Sequence, residues 1–280
     1  MSFKTILAYC NNSHLAERLF DVAVHMAVEN KAHLKGLYVI PQPQLHAAIG
    51  GDFIGELVEN QERYCKSQGK VIKSAFDKAI AGKKIEFDWV ELHAPFPFVR
   101  RPLLEQARLA DLVIAIQAHP ESDVIQEHGL MADLVLESGR PVLVVPKDGD
   151  LKGIGTKVLV AWNGTRESAR AVFDALPLLK KAGAVEIFEL EDDTGSSRKS
   201  RLTGADLAEN LTRHGVNATA ASQSLNGYDA GEFLLDRAAK EKFDLLVMGG
   251  YGHSRIAEFI LGGATRHIFS DMNLPVLMAH

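Results

Sequence analysis

The residues whose types and spacing could do chemistry gather near the C-terminal end. Gly249-Gly250-Tyr251-Gly252-His253-Ser254-Arg255 follows an apolar run that ends at Met248, and Gly262-Gly263-Ala264-Thr265 begins ten positions past Gly252. Glycines after a strand let the backbone take positive φ and approach a ligand without a Cβ in the way. Amides ahead of a helix point outward with partial positive charge, which suits a phosphate. The second cluster interrupts a helical pattern over 255–271. A Gly-Gly pair inside a helix costs about 2 kcal/mol relative to Ala, so the break is expected to serve something. It would bring Gly262, Gly263 and the Thr265 hydroxyl back over the first loop. On spacing alone, a phosphate cradle and a plain turn followed by a kink fit equally well.

Other chemistries lack their residues. Gly69-Lys70 and Gly82-Lys83 have neither the upstream glycine nor the following hydroxyl of a Walker loop. Gly153-Ile154-Gly155 precedes a strand and reads as a linker turn. Gly252-His253-Ser254 would need glycine at position 256 to form a nucleophile elbow, and Ile256 stands there, so Ser254 reads as a helix cap. The 11 histidines include no His-Glu-x-x-His, and the 2 cysteines no Cys-x-x-Cys, so no zinc site is expected. Glu189, Glu191, Asp192 and Asp193 read either as a solvated acidic loop or as help for Mg²⁺ beside phosphates. Arg198, Lys199 and Arg201 read as phosphate partners or as an exposed helix start.

The elements that must position these residues come in two copies. Lys4–Ser13 reads like Lys157–Thr165, each an apolar run followed by Asn and a small polar residue. Ala110-Asp111-Leu112-Val113 resembles Phe243-Asp244-Leu245-Leu246, and Pro141-Val142-Leu143 resembles Pro275-Val276-Leu277. From Asn11 to Asp111 is 100 positions and from Asn163 to Asp244 is 81, so the first copy carries an insertion, placed within Pro41–Gly82. In the second copy the pattern predicts strands at 157–162, 184–190, 217–223, 244–248 and 275–279. It predicts helices at 166–181, 200–214, 229–241 and 255–271. Continuous Val/Leu/Ile runs alternating with helices imply buried parallel strands joined by right-handed crossovers. The expected fold class is therefore α/β: two tandem five-stranded, doubly wound domains, at 1–148 and 149–280. Such sheets bind ligands at the carboxyl ends of their strands, near a topological switch point.

Composition bounds the function classes. The chain has 280 residues, 46% hydrophobic and 24% charged, with a formal net charge of −5. That is an ordinary globular balance. It argues against a dedicated nucleic-acid binder, and no apolar run reaches a membrane span. The two reduced-looking cysteines, Cys10 and Cys65, and a start that runs straight into a strand suggest a cytoplasmic protein.

The pattern Gly249, Gly252, Gly262, Gly263, with the strand-one ending Val-Ala-Trp-Asn-Gly-Thr and the closing Pro-Val-Leu strand, resembles the universal stress protein family. The resemblance covers both copies. It implies a five-stranded parallel sheet of the adenine nucleotide alpha hydrolase-like type and the binding of ATP, with Mg²⁺ as a candidate companion. Carried over, Gly249, Gly250, Gly252 and Gly262, with Met248 and His253 beside them, would line the phosphates. Asn163 and Gly164 would lie near the adenosine, and Leu190 where backbone meets adenine. Gly263, Ala264 and Thr265 would close the loop. Asn163 stands where the family has Asp, and Gly263 where it has Ser or Thr. These departures remove one carboxylate and one hydroxyl, and they argue against efficient turnover. The first copy has Gln117-Ala118-His119-Pro120 where the second has its glycines, so no nucleotide is expected there. The resemblance also implies pairing through the closing strands, giving an internal pseudo-dimer and leaving a homodimer open. Three functions follow: a stress-response module binding an adenine nucleotide in the second copy, a slow ATP hydrolase or adenylyl-transfer enzyme, or a nucleotide-free scaffold.

Overall fold

The Val, Leu and Ile runs form the strands. The computed structural model describes residues 2–42, 52–95, 98–117, 126–149, 151, 153–191, 202–225, 227–250 and 263–280, with backbone alone for 52–58, 126–128 and 191. Its first copy runs β1 (Thr5–Tyr9), α1 (Ala16–Asn30), β2 (His33–Gln42), α2 (Asp52–Ile80), β3 (Phe87–Pro95), α3 (Arg100–Ala107), β4 (Leu112–Ile116), α4 (Gln126–Glu137) and β5 (Val142–Val145). The second runs β6 (Lys157–Trp162), α5 (Arg166–Asp174), α6 (Leu176–Leu179), β7 (Ala184–Glu191), α7 (Gly204–Arg213), β8 (Ala218–Ser224), α8 (Ala230–Glu241), β9 (Leu245–Gly249), α9 (Gly263–Asp271) and β10 (Val276–Ala279). Each copy thus contributes five strands to an α/β fold. Among the described residues, no helix is long and apolar enough to cross a membrane.

By their contacts, residues 3–138 form one unit and residues 139–280 the other, with Met1–Ser2 joined to the second. In the first unit the order is β3-β2-β1-β4, all parallel. The strand β4, Leu-Val-Ile-Ala-Ile, is buried along its whole length, as expected of a strand covered on both faces. Phe20 and Phe76 meet edge to face at 5.2 Å between centroids, and Trp89 lies 5.2 Å from Phe76. In the second unit the order is β5-β10-β9-β6-β7-β8. All pairs from β10 to β8 are parallel, while β5 runs antiparallel to β10 with Leu143 opposite Leu277.

Two of the repeated landmarks have a structural reason. Asp244 opens β9 and its carboxylate accepts the backbone amides of Gly155, Thr156 and Lys157 at 2.9–3.0 Å, pinning the start of β6. Asp111 does the same for β1, accepting from Lys4 and Thr5 at 2.7 and 3.0 Å. The insertion resides largely in α2, which is 29 residues long where its counterpart α7 has 10.

One predicted helix differs. The expected helix 166–181 is split into α5 and α6, with a proline in the first turn of α6. Pro177 has no N–H to continue the ladder. Of the expected helix 255–271, residues 255–262 lie outside the described residues. The described part, α9, runs Gly263–Asp271.

Candidate functional site at the switch point of the second copy

The strand order of residues 139–280 reverses direction between β6 and β9. From β6 the chain proceeds outward through β7 to β8, and from β9 it proceeds the other way to β10. The carboxyl ends of β6 and β9 therefore flank a crevice of the kind in which open α/β sheets take ligands. Asn163 and Gly164 leave β6 there, and Gly249 and Gly250 leave β9.

After β6 the chain makes a side-chain-stabilised turn. The Asn163 Oδ1 accepts the Thr165 amide at 3.2 Å and its hydroxyl at 2.9 Å, and Gly164 takes φ +70° between them. Thr165 then caps α5, its Oγ1 accepting from the Ser168 amide at 3.3 Å. A carboxylate would serve the same turn, so Asn163 keeps the geometry and gives up the charge. The first copy shows a related turn one residue later. Tyr9 pairs with Ala115 as Ala161 pairs with Met248, which makes Asn11 the partner of Asn163 by register. Yet it is Asn12 whose Oδ1 accepts from an amide two residues on, that of His14, at 2.9 Å. The helix that follows, α1, has Leu15 at its N-cap and no side-chain cap.

Gly249 owes its identity to packing. A Cβ on it would stand 2.6 Å from the Ser168 nitrogen and 2.7 Å from the Glu167 carbonyl carbon. The end of β9 can therefore lie against the first turn of α5 only without a side chain. Gly250 donates its amide to the Ala279 carbonyl at 2.9 Å. That N–H is spent on the sheet, so any amides offered to an anion come from farther along the loop. Met248 is buried beside Ala161 and Met278. Leu190 is half-buried at the end of β7, in register with Gln223. Gly252, His253 and Gly262 lie outside the described residues, as do Asp192, Asp193, Arg198, Lys199 and Arg201 of the acidic and basic runs, and Ala118, His119 and Pro120 of the first copy.

The start of α9 leans on the start of α8. Asp229 caps α8, accepting the amides of Gly231 and Glu232 at 2.8 and 3.2 Å. A Cβ on Gly263 would come 3.3 Å from the other Asp229 oxygen, and one on Gly231 would come 2.7 Å from the Ala264 carbonyl. Thr265 is 4% exposed, two residues further into this junction. Glu189, one of the suggested Mg²⁺ ligands, instead accepts the Gly204 amide at the start of α7, at 3.1 Å. Among the described residues, no group of three or more His, Cys, Asp or Glu is placed to hold a metal ion.

Three polar residues here escaped the motif reading. Glu167 is 6% exposed and paired with Arg166. Burial alone would raise its carboxyl. Hydrogen bonds from Arg166 and its own amide, with the Arg166 charge, outweigh that and hold it below the usual range. Arg166 also reaches the His280 ring at 3.4 Å, and the other ring nitrogen of His280 lies 3.0 Å from the Gly250 carbonyl. A carbonyl only accepts, so Nδ1 carries a proton, and in that tautomer Nε2 is the acceptor facing Arg166. The Arg-Glu pair adjacent to a Thr cap is a weak signal in sequence, and its link to His280 is none at all.

In the first unit, the long α2 borders a groove of about 390 Å³ against the start of α1, lined by Ser13, His14, Glu17, Lys70, Ser74 and Lys78. Lys78 pairs there with Glu17 at 2.9 Å. The groove takes in Ser13 and His14 of the strand-end turn, though not Asn12 itself.

Residues 156–280 match the model of the universal stress protein family. No curated protein matches the chain. Among solved structures, a universal stress protein from Archaeoglobus fulgidus superposes with a TM-score of 0.67 at 15% identity, over 98% of this chain and 95% of its own. A functionally unknown protein from Pseudomonas aeruginosa does so with a TM-score of 0.60 at 12% identity, over 99% of this chain and 92% of its own. At such identities the likeness speaks for the fold, and the family match adds the glycine-bearing half. Residues 156–280 of this chain are thus similar to the universal stress protein family, and the chain as a whole has the fold of the tandem structure from Archaeoglobus fulgidus.

Proposed function

We propose that this protein is a cytoplasmic stress-response module that binds an adenine nucleotide, ATP or a close relative, with or without Mg²⁺, in its second domain. The observation that carries the reading is the position of the glycine motif. Its first member, Gly249, ends the strand β9 on one side of the switch point, and its last, Gly263, lies in α9. The turn Asn163-Gly164-Thr165 ends β6 on the other side. A ligand in this crevice would have the β6 turn at one end and the glycine loop at the other, which suits a nucleoside joined to a phosphate. Taken by sequence repeat, the domains are 1–148 and 149–280, and the closing strands β5 and β10 would join them as an internal pseudo-dimer.

Equilibrium dialysis of labelled ATP against the full chain tests this. Saturable uptake of one nucleotide per chain is expected, abolished by Gly252→Val, which would put a branched side chain in the middle of the motif. No uptake at millimolar ATP, AMP or adenosine would count against the reading.

A further inference from the structure

We propose that Arg166 contacts the phosphate of the bound nucleotide and that His280 positions it there. This rests on the nucleotide reading above and goes beyond the glycine motif, to which neither residue belongs. The motivating contact is a relay across the carboxyl ends of three adjacent strands, β6, β9 and β10. Arg166 opens α5 just after β6. Its Nη2 lies 3.4 Å from the His280 Nε2, and His280 Nδ1 lies 3.0 Å from the carbonyl of Gly250, where the glycine loop leaves β9. The guanidinium is thus held one imidazole ring away from the start of that loop.

The side chain is two-thirds exposed, and its described contacts engage Nε, with Glu167, and Nη2, with His280. A guanidinium has five N–H donors in a planar fork, so donors remain for an oxyanion. That fork matches phosphate geometry and has nothing to recognise on a neutral nucleoside. Glu167 pairs with the guanidinium through Nε and is itself held by its own amide, so it tethers the side chain on one edge. The His280 ring accepts on a second edge. A side chain held on two edges loses less conformational freedom when it meets its ligand. Arg166 would therefore make the site select a nucleotide over a nucleoside.

Calorimetric titration of the full chain with AMP and with adenosine tests the assignment. The wild type should prefer AMP by about tenfold or more, the size expected of a charge-assisted pair. Arg166→Gln should remove most of that preference and leave adenosine affinity unchanged. His280→Ala, which spares the Arg166–Glu167 pair, should lower AMP affinity about threefold at unchanged adenosine affinity and melting temperature. If Arg166→Gln fails to fold, the His280→Ala ratio decides alone. An unchanged AMP-to-adenosine ratio in the folded variants overturns the proposal, as does a wild type that binds both ligands equally, which would leave adenine binding intact. Binding of neither ligand removes the nucleotide reading and this assignment with it.

Discussion

Glu167 is a buried carboxylate that does its work by being charged. Its partners hold its pKa below the ordinary value of 4.5, against a burial effect that alone would raise it. A carboxyl depressed in the folded state contributes stability that is present above its unfolded pKa and lost as pH falls through the folded one. Glu167→Gln should therefore be destabilising at pH 7, with the gap to wild type narrowing as pH falls below about 4.5. Thermal melts at pH 7 and at pH 3.5 would show it. A gap of constant size would mean that the partners give the charged form no advantage. At this scale the sequence was only partly legible. Asn163 and Thr165 could be found from the local rule that such residues make turns and caps. Arg166 and His280 are 114 positions apart, and no local rule joins them.

At the scale of elements, Gly249 and Gly129 make opposite predictions for the same substitution. Gly249→Ala would drive a Cβ into the Glu167 and Ser168 backbone, which can yield only if α5 moves off β9. The expected cost is about 1–3 kcal/mol, together with weaker nucleotide binding because the turn at Asn163 moves with α5. Gly129 sits exposed in α4, and a Cβ there would meet nothing within 4 Å. Gly129→Ala should stabilise by about 0.5–1 kcal/mol through helix propensity. Urea unfolding of both variants checks the pair, and a Gly249→Ala protein as stable as wild type would refute the packing argument. The strands were legible because continuous apolar runs admit few alternatives. Helix limits were less so: the break at Ala175 depends on Pro177 inside an otherwise good amphipathic pattern.

For the whole molecule, the decisive strands are the two that close the copies. Val276 faces Val144, Leu277 faces Leu143 and Met278 faces Val142, all fully buried. The matched residues of the two Pro-Val-Leu segments thus pair about their central leucines, an arrangement that two identical strands could also adopt. A strand edge left bare is a template for pairing with another chain. Segment 149–280 lacks β5, so its β10 should pair with the β10 of a second copy. Sedimentation should find this segment dimeric. A peptide spanning residues 139–148, which restores β5, should compete for the edge and shift the segment toward monomer. A segment that stays monomeric without the peptide would show that β10 is not sticky, and the first copy's closing strand would then have no role as its cover. If the dimer forms and the peptide dissolves it, the duplication acquires a physical rationale: it supplies within one chain the partner strand that a single copy must find in another.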